Sequence, residues 1–203
     1  MFWAEIKKHG DVVKFVVENA NEEVGVDVKK VGNIEAMPGD TIRYDFSDIR
    51  NESNVPLDNF YWRDILPTDA VTLRSISTGT WNEELKYAIY YKTNLVSEER
   101  VLAERLSTGT NNTIDCSASA LKLKAGEVIT EIRFDFGTVQ PGFEPVTNPY
   151  ITCLVHPDLP HEYRFKNCTD VGGERGDEWV IDKDCWVTVI YAVPKGKLPK
   201  TGI

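Results

Sequence analysis

The chain has 203 residues, and 23 Lys+Arg set against 32 Asp+Glu leave a formal charge of −9, which fits one domain with at most a small appendage. Hydrophobic residues at 41% can fill a core, and 27% charged residues of mixed sign suit a folded surface. No Lys/Arg cluster forms a basic face, no apolar run approaches the roughly 20 residues that span a bilayer, and residues 1–10 lack the apolar core of a secretory signal. Nucleic acid and anionic membrane are therefore poor partners, and no span or leader is read.

In chain order, residues 2–8 and 12–18 flank His9-Gly10-Asp11 and predict a β-hairpin. The polar stretch 19–23 follows, so residues 1–23 are expected to be a hairpin and linker ending a preceding module, with the main body over 24–193. Alternation with β-branched and aromatic residues predicts strands at 41–49, 59–65, 71–77, 86–93, 128–136, 150–155, 163–165 and 186–193. Pro38-Gly39-Asp40, Gly79 and Gly142 mark turns between them. Residues 97–106 carry strong helix formers with Leu102 and Leu106 at i, i+4, yet in so sheet-rich a chain an edge strand is equally open. The expected fold is all-β, an elaborated immunoglobulin-like β-sandwich with an N-terminal β-hairpin, in which Trp62 anchors the core while Tyr44 and Phe46 share one face of their strand. Residues 194–203 read as a flexible linker, with a Pro/Gly/Lys start.

The four cysteines contain no C-x-x-C pair and the three histidines stand in no ligand spacing to them, so no metal site is expected. Cys168 and Cys185 flank the turn-rich stretch 172–177, and a hairpin folding near residue 176 sets them almost opposite one another. If a disulfide forms it is that pair, with Cys116 and Cys153 buried and free; four reduced thiols are the alternative. The acidic pairs Asp182/Asp184 and Asp45/Asp48 offer oxygens of the kind calcium takes, but without a loop of EF type a solvated acidic face is the plainer use. Tyr87, Ile89 and Tyr91 fall on one face of their strand and Ala88, Tyr90 and Lys92 on the other, which invites sugar stacking on one side and core packing on the other. No G-x-S-x-G, H-E-x-x-H or phosphate-binding loop is present, so neither an enzyme nor a cofactor is expected.

Leu198-Pro199-Lys200-Thr201-Gly202 resembles the sorting signal of Gram-positive cell-wall-anchored surface proteins, the pentapeptide cleaved between Thr and Gly by sortase transpeptidases. The apolar helix and basic tail that this family carries next are missing before Ile203, so the expectation is a chain cut short of them. Val28-Lys29-Lys30, Met37 to Tyr44, Asn51-Glu52-Ser53 and Asn59 to Pro67 are similar to the conserved repeat domain of bacterial surface proteins, the domain-of-unknown-function-eleven group. These resemblances imply a secreted, monomeric stalk or spacer module in a Gram-positive cell wall, joined to peptidoglycan by sortase through Thr201. The alternative is an adhesin module that binds a host glycan or protein through sandwich loops, the Pro/Gly-rich stretch 140–149 among them.

Many cell-wall-anchored sandwiches carry an internal amide between a Lys on an early strand and an Asn on a late one. The resemblance implies the same parts here: Lys29 or Lys30 as nucleophile, Asn167 as electrophile and Asp64 as the acid that shuttles the proton. A plainer reading of the same residues is a solvated lysine, a turn-capping Asn167 and an Asp64 that accepts backbone N–H bonds.

Overall fold

A computed structural model describes the backbone of residues 2–8, 11–17 and 21–192 and the side chains of 21–192. The sorting pentapeptide at 198–202 and the linker at 194–203 lie outside the described residues. The first two strands, β1 (Phe2–Lys8) and β2 (Asp11–Val17), form the expected hairpin, with Phe2 opposite Val17 and Lys8 opposite Asp11.

The body follows as β3 (Val26–Gly32), β4 (Glu35–Ala36), β5 (Thr41–Asn51), β6 (Leu57–Ile65), β7 (Val71–Ser77), β8 (Thr80–Trp81) and β9 (Lys86–Thr93). It continues with β10 (Arg100–Ser107), β11 (Thr113–Asp115), β12 (Ile129–Val139), β13 (Pro145–Thr147), β14 (Tyr150–Val155), β15 (Arg164–Arg175) and β16 (Glu178–Ile190). One sheet runs β10-β9-β12-β6-β15-β16-β4, a second runs β11-β7-β14-β5-β3, and β13 pairs with β8 as a small ribbon. No helix occurs among the described residues. The chain is thus the all-β sandwich its alternation predicts, because with no helix among the described residues the apolar strand faces are covered by stacking two sheets.

The two inner faces meet on aromatic rings. Trp62 on β6 is fully buried, with the Phe46 and Phe134 ring centroids each 4.5 Å away, and Tyr44 and Phe46 of β5 both point inward. Toward one end of the sandwich Phe60, Phe136, Phe143 and Trp81 pack edge-to-face and stacked. Such rings bury large areas and add edge-to-face attraction to the area term.

Three local outcomes differ from, or decide, the sequence reading. Residues 97–106 are not helical: Arg100–Ser107 is edge strand β10, bulged twice against β9, with Leu102 and Leu106 resting on the core. Sheet pairing and burial outweigh local helix propensity there. The strands read at 163–165 and 186–193 are much longer, since β15 and β16 pair without a register shift from Arg164↔Val189 to Arg175↔Glu178. The turn-rich stretch 172–177 is therefore mostly strand. Gly172 and Gly173 lie within it because Tyr61 and Leu57 fill the space their Cβ atoms would take, at 2.8 and 3.2 Å.

Candidate functional site

Alternation along β3 decides between the two lysines. Val28 and Lys30 face the core, whereas Lys29 points out, its side chain 67% exposed, and sits 3.6 Å from Asp48. Lys30 has a side chain with no solvent exposure, and its Nζ lies 4.8 Å from the centroids of both the Tyr44 and Phe46 rings. A lysine in such a place needs a partner or must lose its charge.

The partner is Asp64, on the same inward face of β6 as Phe60 and Trp62 and fully buried. Lys30 Nζ hydrogen-bonds Asp64 Oδ1, and Asn167 Nδ2 donates to Asp64 Oδ2 at 3.2 Å. Asn167, also fully buried, is placed by β15 between the inward-facing Phe165 and Thr169. Its Oδ1 has no hydrogen-bond partner, an uncommon condition for a buried carbonyl. Nearby, Trp62 Nε1 donates to Thr169 Oγ1 at 2.7 Å, and that hydroxyl donates to the Arg63 carbonyl at 2.7 Å, which pins β15 on β6. The three residue types expected to act together thus meet on one carboxylate, with Lys30 rather than Lys29 in the set. They come from opposite sheets: Lys30 from the five-stranded sheet, Asp64 and Asn167 from the seven-stranded one.

The electrostatics favour neutral forms. Burial lowers the Lys30 ammonium below its ordinary range, although the Asp64 charge pulls it back, and burial raises the Asp64 carboxyl against the opposing pull of Lys30. Transfer of one proton from Lys30 to Asp64 removes both charges from an apolar pocket. What remains is a free amine beside a carboxylic acid that touches a primary carboxamide.

Directly after Asn167, Cys168 is bonded to Cys185, its register partner on β16, with Cα atoms 4.1 Å apart. Cys116 and Cys153 are free and buried, as the hairpin argument expects. Burial pushes the Cys116 thiol up to about 12 and raises Cys153 as well, so neither supplies a thiolate.

The acidic pair Asp182/Asp184 has a use that composition did not reveal. Both face inward from β16, where Asp182 Oδ2 accepts the Val28 N–H at 3.1 Å and Asp184 Oδ2 accepts the Lys30 N–H at 2.8 Å. Their i, i+2 spacing is the one sequence signal that could have placed them on a common face. Among the described residues no cluster of metal-binding side chains is found. Asp45 pairs with Arg43 and Asp48 with Lys29.

The sugar-stacking surface is largely used internally. Tyr87 and Tyr91 are buried, and the Arg133 guanidinium covers the Tyr90 ring at 4.9 Å. In the 140–149 stretch, Phe143 turns into the core and stacks on Trp81 at 5.1 Å.

No family model and no curated protein matches the chain. Two solved structures align with most of it. AvmM, described as catalysing macrocyclization in alchivemycin A biosynthesis, is 9% identical with a TM-score of 0.33, over 95% of this chain and 98% of its own. AggA, the major subunit of aggregative adherence fimbriae type I from Escherichia coli, is also 9% identical with a TM-score of 0.31, over 88% of this chain and 100% of its own. Likeness at this level carries no argument about what this chain does.

Proposed function

We propose that this chain is a structural stalk module of a cell-wall-anchored bacterial surface protein, locked internally by an amide bond between Lys30 and Asn167 and joined to peptidoglycan through Thr201. The observation that carries the reading is the convergence of Lys30 and Asn167 on one buried carboxylate between two sheets. An ion pair needs no carboxamide, whereas amide formation needs all three groups.

In the reaction, Asp64 takes the Lys30 proton, and the neutral Nζ attacks Asn167 Cγ. A half-turn of the carboxamide about χ2 places Oδ1 where the Asp64 O–H donates to it, polarising the carbonyl and stabilising the tetrahedral oxyanion. Asp64 then gives its proton to the departing nitrogen and takes one from the attacking nitrogen, so ammonia leaves and the carboxyl remains protonated beside the new amide. One C–N bond forms and one breaks, with no oxidant and no cofactor. Each chain reacts once, on itself.

The placement suits a load-bearing role. Lys30 lies on the first strand of the sandwich and Asn167 on the last but one, so an amide between them ties the sheets together and bypasses the strands in between. Tension entering at β3 and leaving after β16 then runs mainly through covalent bonds rather than peeling strand from strand.

Intact-mass spectrometry of the purified chain tests the lock. The expected mass is that of the sequence less one ammonia, and less two hydrogens for the disulfide, and peptide mapping should recover a branched peptide joining Lys30 to Asn167. A chain that keeps its ammonia refutes the internal amide. Anchoring is tested separately with a housekeeping sortase and an oligoglycine nucleophile. Product joined at Thr201 and lost in Thr201→Ala supports it, and no product from several sortases refutes it.

A further inference from the structure

Resting on that reading, we propose that Asp182 and Asp184 are positioning residues for the amide-forming step: a two-carboxylate clip that holds the nucleophile's strand over the electrophile's strand. β3 is the terminal strand of its sheet. On one side it pairs with β5, where the register shifts between Asp27 and Lys29, immediately before the reacting lysine. On the other side its Val28 and Lys30 N–H groups have no strand to bond, and Asp182 and Asp184 accept them at 3.1 and 2.8 Å. The clip therefore fixes the position of Lys30 at the point where sheet pairing alone is irregular.

Asp184 also closes a ring around the site. Its Oδ1 accepts the N–H of Cys185 at 2.8 Å, Cys185 is bonded to Cys168, and Cys168 follows Asn167 in the chain. The path from Lys30 N–H through Asp184, the disulfide and Asn167 to Asp64 returns to Lys30 Nζ. Nucleophile and electrophile are thereby held from both ends. The negative charge of Asp184 itself opposes the reaction, since it favours the Lys30 ammonium. Its contribution must then come from its acceptor oxygens, which separates this role from an electrostatic one.

The test follows ammonia loss over time by intact mass in the full chain after a pulse of cell-free synthesis under oxidising conditions. Asp184→Ala is expected to slow amide formation about tenfold to a hundredfold, the usual penalty for a misplaced reacting group. Asp184→Asn, which keeps one acceptor oxygen for the Lys30 N–H but gives up the Cys185 N–H and the charge, should react faster than Asp184→Ala. Asp182→Ala, one step further from the nucleophile, should slow it less and serves as a second probe if Asp184→Ala does not fold. Melting curves of the same substitutions in a Lys30→Met chain, which cannot cross-link, report their purely structural cost and set a reaction temperature at which every variant is folded. Parental rates in both alanine variants overturn the clip and leave the amide standing. A parent chain that never loses ammonia overturns the amide itself, and the clip with it.

Discussion

Replacing Lys30 by Met and Asp64 by Asn in one chain separates a covalent lock from an ordinary buried ion pair. The two substitutions keep side-chain volume and leave no charge in the pocket, and swapping a buried pair for neutral groups is commonly close to neutral for stability. An ion-pair role thus predicts little change in melting temperature. A Lys30–Asn167 amide closes a loop of more than about a hundred residues, and loop-closure entropy assigns such a cross-link about 5 kcal/mol. For a chain of this length each kcal/mol shifts the melting temperature by about 2–4 °C, so the double variant is expected to melt about 10–20 °C lower. Calorimetry of both chains, with the disulfide intact in each, reads the difference, and intact mass should show that the double variant retains its ammonia. Equal masses after allowing for the substitutions, together with melting temperatures within a few degrees, would refute the cross-link.

Three further predictions concern the frame around the site. Changing Cys168 and Cys185 together to Ser should cost about 3 kcal/mol for the 17-residue separation they close, seen as a lower denaturant midpoint that added reductant does not move further. Glu127 accepts the Lys124 backbone N–H and the Thr93 hydroxyl and pairs with Arg100, which lowers its carboxyl from 4.5 to about 2 in the folded chain. Its stabilisation is therefore complete above about pH 4.5 and is lost as the pH falls toward 2, so Glu127→Gln should flatten the acid limb of the melting-temperature profile; an unchanged limb would contradict this. Gly79 has φ +66° and a Cβ there would meet the Thr147 carbonyl at 2.2 Å, so Gly79→Ala should cost at least about 2 kcal/mol in urea unfolding, and a neutral result would mean that this turn can move.

Much of the frame was legible because a period of two is a local property. The alternation in residues 41–49, 71–77 and 86–93 needs only the neighbouring residue to be read, and β5, β7 and β9 cover those stretches. The same parity, applied to Val26, Val28 and Lys30, would have selected Lys30 over Lys29 from sequence alone. The disulfide was readable because a hairpin turn between two cysteines is also local, and Gly176-Asp177 supplies it. The Gly172-Gly173 pair misled because glycine marks a turn in one context and a close approach in another. Tyr61 and Leu57, more than a hundred positions away, decide which.

By itself the sequence determined the all-β class and most strand positions, named Cys168 and Cys185 as the pair if a disulfide forms, and carried the residue types that an internal amide requires. Tertiary structure alone decided that Lys30 and Asn167 meet on the buried Asp64 carboxylate and that Asp182 and Asp184 accept the N–H groups of β3. It also turned a stretch rich in helix formers into the edge strand β10. The physical reason is range. Alternation, turns and propensity act between near neighbours in the chain, whereas desolvation and pairing of a buried charge depend on which strands stack across the sandwich, and that is set by the packing of both sheets at once.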